Sequence, residues 1–282
     1  MSTAAGGAAI SAVSWPEHLF MVGCGNMAGA MLSRWLACGL PPERVTVLRP
    51  SGRPVADGVR VIADYPDVVP AGYVLLGMKP AMVADVAAHL SPLVGPGHKL
   101  LSILAGISAE ALRRSFPNAG DIVRVMPNTP VGIGRGVSAL FAGPDMLDSV
   151  REAVTAFLSP LGLAEWIADE SQFDLVTALS GCGPAFLFRF IDALGSAAAR
   201  LGLPADQAAR LALATVDGAA GLASAADVSP AILADRVASP GGMTREGLNV
   251  LDADDRLALL IEDVLRAARD RGAELARMAG AA

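Results

Sequence analysis

The sequence is poor in charged and aromatic residues and nearly without lysine. Of its 282 residues, 18% are charged and 5% are aromatic, whereas 53% are hydrophobic. A chain with so many apolar side chains does not belong to the disordered class. Lysine occurs only as Lys79 and Lys99, which excludes mechanisms that depend on a lysine in the second half of the chain.

Cysteine is also scarce. The chain has Cys24, Cys38 and Cys182, which are widely spaced and form no CxxC pair. This pattern predicts neither a disulfide framework nor a zinc site, and the three histidines show no metal-ligand spacing, so no metal is expected. A reducing cytoplasm is the expected compartment.

Long apolar runs and an excess of positive charge are missing as well. No stretch approaches the roughly 20 unbroken apolar residues of a bilayer helix, so no membrane contact is expected. The net charge of -6 argues against nucleic acid as a partner. Residues 1–15 lack the basic residues of a secretory signal and are interpreted as a disordered tail. In such a soluble chain, the apolar excess favours helix faces that bury against a second subunit.

Strand and helix patterns alternate in the first part of the chain. Helical patterns separate a series of short apolar strands at residues 18–22, 45–48, 59–62, 74–78, 100–104 and 122–126, and Ala139–Phe141 is a further strand candidate. This order predicts a parallel sheet covered on both faces. Long helical patterns rich in Ala and Gly then follow. The predicted fold class is therefore α/β, with a Rossmann-like domain over residues 16–167 and an all-α helical-bundle domain over residues 168–282.

A glycine turn joins the first strand to the first helix. The pattern G-x-G-x-x-[GA] is met by Gly23, Cys24, Gly25, Asn26, Met27 and Ala28. The first glycine permits a tight turn, the second lets the backbone approach a pyrophosphate, and the alanine allows close packing of helix and strand. In this position the pattern predicts a dinucleotide site, and the alternative is an ordinary glycine turn of an α/β protein.

The end of the second strand indicates which dinucleotide binds. NAD sites usually carry an acidic residue there, whereas this chain has Arg49 and Ser51. A guanidinium and a hydroxyl suit a 2′-phosphate, so NADP(H) is the expected cofactor. The alternative is that these side chains are solvated loop residues.

Two clusters of glycine and proline precede helical patterns in the second half of the chain. They are Ser180–Pro184 and Ser239–Thr244. Each cluster can present unpaired backbone N–H groups to an anion, which favours a carboxylate-binding pocket. The alternative is two ordinary helix starts, with Thr244 as an N-cap.

The ordered motifs of the chain resemble those of the pyrroline-5-carboxylate reductases from about residue 18 onward. These motifs are Gly23–Ala28, Gly77–Pro80, Ser102–Gly106, Arg124–Pro130, Asp174–Pro184 and Ser239–Thr244. The resemblance implies reduction of 1-pyrroline-5-carboxylate to L-proline, the last step of proline biosynthesis, by hydride transfer from NADPH or NADH. It also implies a homodimer, with a decameric ring of dimers as the larger assembly that the sequence leaves open.

The resemblance also implies roles for individual residues. Further cofactor contacts would come from Gly77, Met78, Lys79, Pro80, Ile103, Leu104 and Ala105, and, near the nicotinamide, from Asn128, Cys182 and Pro184. Substrate binding would involve Asp227, Val237, Ser239, Gly241, Gly242, Met243 and Thr244. The hydroxyl of Thr244 would serve the pyrroline nitrogen as the catalytic group. Cys182 stands where the family usually has serine, and a thiol is a weak donor. Met243 stands where a smaller residue is common.

Rival interpretations differ in what they require of the chain. The β-hydroxyacid dehydrogenases share the glycine turn and a helical second domain, but they depend on a lysine in that domain, and this chain has none after Lys99. The remaining alternatives are a non-catalytic NADP-binding protein of the same fold and a reductase of a related cyclic imine.

We expect Arg49→Ala to weaken NADPH binding far more than NADH binding. A charge-assisted bond to the 2′-phosphate contributes about 1.5–3 kcal/mol, which corresponds to roughly a ten- to hundredfold change in affinity. Fluorescence titration with each nucleotide measures the difference. An equal loss for the two nucleotides would contradict the assignment of Arg49 to the 2′-phosphate.

Overall fold

A computed structural model of the chain describes residues 14–280. Their contacts divide the chain into two units, one comprising the residues up to Gly181 together with those from Arg269 onward, and the other Cys182–Ala268. Residues 1–13 of the predicted tail lie outside the described residues. The domain boundary expected between residues 167 and 168 stays a prediction.

The described part of the first unit is built on an eight-stranded sheet in the order β3-β2-β1-β4-β5-β6-β7-β8. Neighbouring strands are parallel except β6 and β7, which are antiparallel. The strands are β1 (Leu19–Val22), β2 (Val45–Leu48), β3 (Arg60–Ile62), β4 (Gly72–Leu76), β5 (His98–Ser102), β6 (Asp121–Pro127), β7 (Gly136–Phe141) and β8 (Gly162–Trp166). Every residue of β1 and β2 is buried, as expected for strands between two helical layers.

Helices cover both faces of this sheet. They are α1 (Asn26–Ala37), α2 (Val83–Leu90), α3 (Ala109–Ser115), α4 (Asp148–Leu158) and the short α5 (Phe173–Val176). One apolar core contains residues of α1 and α4, and the other contains residues of α2 and α3. In the first core, the Trp35 ring stacks on Phe157 with ring centroids 4.5 Å apart, and Trp35 Nε1 donates to the Phe157 carbonyl oxygen at 3.0 Å.

Each strand of the predicted series is present in the structure, but several begin or end at other residues than expected. The strand expected at residues 74–78 ends at Leu76, because the chain turns away at Gly77, and the strand expected at 100–104 lies at His98–Ser102. Strand β8 extends the sheet beyond the predicted series, whereas β7 contains the further strand expected at Ala139–Phe141 and breaks the parallel order. The α/β class with a Rossmann-like first part and a helical second part is confirmed.

The second unit is helical throughout its regular structure. Its helices are α6 (Gly183–Arg200), α7 (Ala205–Ala225), α8 (Pro230–Arg236), α9 (Met243–Asp252) and the first part of α10 (Arg256–Gly280). Small residues bring α6 and α7 together, since a Cβ placed on Gly195 would lie 3.3 Å from Ala209 Cα. The outer faces carry exposed apolar side chains, among them Leu187, Phe188, Phe190, Leu211, Leu213, Leu222, Leu259 and Leu260.

One helical stretch among residues 14–280 is long and apolar enough to cross a membrane by length and composition alone. It is Glu170–Arg200, and little of it is buried. Two further helices, Ala205–Ala225 and Pro230–Arg236, meet the same measure only together and are bent by 116°. The exposed stretch contains Arg189 and Asp192 as an ion pair with 3.8 Å between Nη1 and Oδ2. The expected absence of membrane contact stays a prediction.

Candidate functional site

The carboxyl ends of β1, β2, β4 and β5 lie side by side, and each is followed by a segment predicted to bind the dinucleotide. In the register of the sheet, Val22 at the end of β1 pairs with both Leu48 and Leu76. The first residues beyond the four strands are therefore neighbours, namely Gly23, Arg49, Gly77 and Ile103. In doubly wound sheets, ligands bind outside this edge.

Gly77 is the point at which three of these segments meet. A Cβ placed on Gly77 would lie 2.9 Å from the Ala28 Cβ and 3.3 Å from the Gly23 carbonyl oxygen. Ile103 is also close, with its Cδ1 3.6 Å from that position. The Gly77 N–H donates to the Val22 carbonyl oxygen at 2.9 Å. Any side chain here would push the glycine turn away from the end of β4.

Gly23 lies opposite Gly77, where the glycine turn and the segment after β4 approach each other. Its φ is 81°, in the left-handed region that favours glycine, and a Cβ here would lie 3.0 Å from Met78 Cα. Gly25 differs, because no described atom lies within 4 Å of its Cβ position. In the described structure no side chain caps the start of α1, so the first N–H groups of this helix are available to an anion.

The side chain of Arg49 lies close enough to the glycine turn to affect Cys24 electrostatically. Burial raises the pKa of the Cys24 thiol above its ordinary value, and the positive charge of Arg49 opposes this shift. The Arg49 backbone is held at the end of β2 by its N–H, which donates to the Ile62 carbonyl oxygen at 2.9 Å. Two residues further on, the exposed Ser51 hydroxyl accepts the N–H of Arg53 at 3.4 Å. A cation and a hydroxyl thus follow β2, as predicted.

The remaining cofactor residues predicted after β4 and β5 differ in how far their side chains are exposed. Lys79 is exposed and precedes a 3-10 turn that begins at Pro80. The Leu104 side chain is buried in the core, so only its backbone can face a ligand, whereas Ala105 is exposed. Among residues 14–280, no group of three or more His, Cys, Asp or Glu side chains is arranged to hold a metal ion.

Asn128 follows β6 at the same edge and is buried. Its Oδ1 accepts the Val137 N–H at 2.8 Å, and its Nδ2 donates to the Ser180 carbonyl oxygen at 2.9 Å. The chain around Ser180 forms a π-helical turn. Cys182 is the N-cap residue of α6, and in the described structure its side chain makes no capping hydrogen bond. The Asn128 side chain is therefore engaged within the first unit.

In the second unit, Ser239, Pro240, Gly241 and Gly242 form a tight turn. The Gly242 N–H donates to the Ser239 carbonyl oxygen at 3.0 Å, and Gly241 has a φ of 68°. Proline followed by a glycine with positive φ is typical of a type II turn. The turn therefore has a defined shape that follows directly from its sequence.

Helix α9 begins directly after this turn. Its N-cap is Gly242, so the alternative of Thr244 as N-cap is wrong, because Thr244 is the second helical residue. The Glu246 N–H donates to the Gly242 carbonyl oxygen at 3.2 Å, which leaves the N–H groups of Met243, Thr244 and Arg245 without helical acceptors. The first turn of α9 thus offers main-chain donors and an exposed threonine hydroxyl.

An ion pair that was not predicted closes the loop between α8 and α9. Arg245 Nη2 lies 2.8 Å from Asp235 Oδ1 and donates to the Ala238 carbonyl oxygen at 3.5 Å. The predicted substrate residue Val237 directly follows α8 as its C-cap and is exposed. Asp227 is exposed in the loop before α8. The signal in the sequence was a pair of opposite charges on either side of the glycine–proline cluster.

A second group of contacts that was not predicted surrounds Arg124, a residue of β6 in the first unit. Arg124 Nη1 lies 2.7 Å from Glu170 Oε1, which also accepts the Ala109 N–H at 2.7 Å. The Phe173 ring packs against this guanidinium, with its centroid 4.1 Å from Arg124 Cζ. A charged residue inside the apolar strand β6 was the available signal, since a buried charge requires a partner.

Comparison with known protein families gives two matches. Residues 170–275 match the family model described as pyrroline-5-carboxylate reductase dimerisation. Residues 19–106 match the family model described as NADP oxidoreductase, coenzyme F420-dependent. The second match spans the sheet edge from β1 to the segment after β5.

Individual relatives cover nearly the whole chain. The pyrroline-5-carboxylate reductase of Pseudomonas aeruginosa is 36% identical over 274 residues, which are 95% of this chain and 100% of the relative. That of Pisum sativum is 34% identical and covers 89% of this chain and 93% of its own. The Coxiella burnetii pyrroline-5-carboxylate reductase structure aligns with a TM-score of 0.84 at 30% identity, over 92% and 98% of the two chains. The Plasmodium falciparum pyrroline carboxylate reductase structure with NADP bound shares the fold, with a TM-score of 0.77 at 24% identity over 90% and 96%.

We expect Gly23→Ala to weaken dinucleotide binding by about ten- to a hundredfold, because a Cβ in the left-handed region adds about 1–3 kcal/mol of strain and displaces the turn. The matched control is Gly29→Ala, where the added Cβ would lie 3.7 Å from Cys24 Sγ, an ordinary contact. Calorimetric titration with NADP measures both variants. Equal affinities in the two variants would show that the turn does not hold the dinucleotide.

Proposed function

The chain belongs to the pyrroline-5-carboxylate reductase family, and we propose that it reduces 1-pyrroline-5-carboxylate to L-proline with NADPH as its preferred hydride donor. The observation that carries the proposal is the convergence of Gly23, Ala28 and Ile103 around Gly77. This convergence occurs in a chain that matches reductases of this name over nearly its full length. The non-catalytic alternative has no comparable support.

The residues at the sheet edge fit a dinucleotide. Gly23 and Gly77 leave bare backbone where side chains would collide, and the space above Gly25 is open. We assign the pyrophosphate to the free N–H groups at the start of α1. When bound, the dinucleotide supplies the hydride. The segments that follow β4 and β5, Gly77–Pro80 and Ile103–Ala105, would line it at the strand ends.

The choice of NADPH over NADH rests on the residues after β2. Arg49 and Ser51 supply a guanidinium and a hydroxyl where NAD sites usually have a carboxylate. A guanidinium binds a phosphate through charge-assisted hydrogen bonds, so the 2′-phosphate of NADPH adds affinity that NADH lacks. NADH is then a weaker second donor.

The substrate carboxylate suits the start of α9. The N–H groups of Met243, Thr244 and Arg245 are free of helical acceptors, and the helix dipole favours negative charge at this end. Pro240 and Gly241 fix the preceding turn. We place Asp227 and Val237 at the periphery of the same pocket, with Ser239, Gly241 and Gly242 forming its backbone wall.

Reduction of the C=N bond adds a hydride to its carbon and a proton to its nitrogen. A protonated ring nitrogen makes the carbon electrophilic, so the protein has chiefly to orient the substrate and keep that proton in place. The Thr244 hydroxyl is exposed and has no hydrogen-bond partner among residues 14–280. We therefore assign it to the ring nitrogen, as donor of a hydrogen bond or of the proton.

We propose that the protein is a cytoplasmic homodimer, and that a decamer would be assembled from such dimers. The dimerisation family match covers residues 170–275, and the helices of the second unit expose large apolar residues such as Phe188 and Leu213. Burial of such a surface favours association. Burial against a second subunit would also account for the apolar character of Glu170–Arg200. A membrane is the less favourable explanation, because the charges of Arg189 and Asp192 would be costly in lipid. The three cysteines are free, which agrees with a reducing compartment.

Light scattering should give twice the 28.7 kDa of one chain, or a multiple of that mass. Phe188→Asp should reduce the mass toward that of one chain, because it places a charge in the apolar surface. The matched control is Val68→Asp, which changes a residue that is equally exposed but lies in the first unit and should leave the mass unchanged. A single-chain mass for the unaltered protein would contradict the dimer.

The unaltered protein should consume NADPH when 1-pyrroline-5-carboxylate is added, and Thr244→Ala should lower kcat by about 10²–10⁴-fold if the hydroxyl acts as an acid. NADPH affinity should not change, because Thr244 serves the imine. Thr244→Ser keeps the hydroxyl and should retain most activity. Tight NADPH binding without turnover in the unaltered protein would contradict the proposed reaction, and full turnover in Thr244→Ala would leave this residue a purely structural part of α9.

A further inference from the structure

We propose that Asn128 is a positioning residue whose carboxamide supplies Ser180 with the hydrogen bond that Pro184 cannot donate. In this way Asn128 fixes the turn that leads into α6. The inference rests on the proposed function and on the expectation from the family resemblance that Cys182 and Pro184 lie near the nicotinamide. It changes the role expected for Asn128 from a cofactor contact to a support for the residues that make such contacts.

The sequence leaves the Ser180 carbonyl without its regular partner. In an α-helix the carbonyl of one residue accepts the N–H of the fourth residue further on, and for Ser180 that residue is Pro184, which has no N–H. The chain is π-helical over Thr177–Gly181 before α6 begins at Gly183. Single π-helical turns occur frequently at functional sites.

Asn128 meets this requirement with a defined orientation. Its Oδ1 must face the Val137 N–H at 2.8 Å, because only the oxygen of a carboxamide can accept. The amino group is then directed to the Ser180 carbonyl oxygen at 2.9 Å. The Asn128 backbone is bonded on both sides as well, since its N–H donates to the Val137 carbonyl oxygen at 3.1 Å and its carbonyl accepts the Val131 N–H at 3.1 Å.

This arrangement anchors the π-helical turn to the end of β6. Asn128 directly follows Pro127, the last residue of β6, and its side chain is buried. Ser180 is only two residues before Cys182, so a shift of Ser180 moves the residues assigned to the nicotinamide. A loss of this support should therefore affect hydride transfer, whereas the adenosine and pyrophosphate contacts made by the glycine turn should remain.

Asn128→Asp tests the proposal with little change in size. The aspartate keeps an acceptor for the Val137 N–H but directs a second oxygen at the Ser180 carbonyl, which removes the donor. We expect kcat to fall by about 10- to 100-fold, as for a small misplacement of reacting groups, while the dissociation constant of NADPH changes less than about twofold. Hydrogen exchange of residues 177–186 should accelerate, a result that does not depend on turnover.

The control is Trp35→Phe, which removes another buried side-chain N–H bonded to a main-chain carbonyl, that of Phe157 at 3.0 Å. This variant should lower the Tm without changing kcat. If Asn128→Asp weakens NADPH binding as much as it lowers kcat, Asn128 contacts the cofactor directly and the proposal is wrong. Unchanged kcat and exchange in a folded Asn128→Asp protein would overturn it as well.

A second pair of variants tests the role of proline. Asn128→Ala removes the donor, and adding Pro184→Ala restores an N–H four residues after Ser180. We expect the double variant to slow hydrogen exchange of residues 177–186 relative to Asn128→Ala, a readout that does not depend on the cofactor contact expected of Pro184. No recovery of exchange protection would contradict the proposal. A failure of the proposed function looks different, because the unaltered protein would then show the protected turn but would not reduce 1-pyrroline-5-carboxylate.

Discussion

The close approach of two stretches of bare backbone, at Gly23 and Gly77, is the constraint on which the rest of the first unit's site depends. The first glycine needs a left-handed conformation, and each would bring a Cβ to within 3.0 Å of its neighbours. Because only a hydrogen atom fits at Gly23 and Gly77, the end of β4 packs directly against the turn after β1. The small Ala28 side chain lets α1 pack against both segments.

The parts of the fold and site that were predictable from sequence are those set by short-range patterns. The apolar runs of β1 and β2, the glycine turn and the Pro240–Gly241 turn each follow from residues adjacent in the chain. The partners of Arg124 and Arg245 did not follow, because a charge in an unexpected place shows that a partner is needed and not which residue supplies it. Strand β8 was missed because its burial alternates along a short segment bounded by a glycine, so it lacks a strong apolar run. The alternative that made Thr244 an N-cap was wrong by two residues, because Gly242 takes the N-cap position without a side-chain hydrogen bond.

Cys182 and Met243 are the two residues that depart from the family pattern. In the described structure Cys182 precedes α6 without a side-chain cap, and its carbonyl, not its thiol, accepts the Ala185 N–H at 3.0 Å. The start of α6 in this chain therefore does not depend on a side-chain capping bond. Met243 is 95% exposed, so its larger side chain packs against almost nothing in the described structure.

Because lysine is scarce, the described part of the chain carries primary amines on only two side chains, Lys79 and Lys99. Lys99 is half-buried, with its Nζ 5.6 Å from the centre of the Tyr73 ring, whereas Lys79 is exposed at the end of β4. Reagents that acylate primary amines therefore find one freely exposed lysine in residues 14–280, and it follows β4 on the side of the sheet where we propose that the nucleotide binds. Attachment of the protein to a support through lysine would therefore use this side of the sheet, and coupling through Cys24 would do the same, because Cys24 lies in the glycine turn.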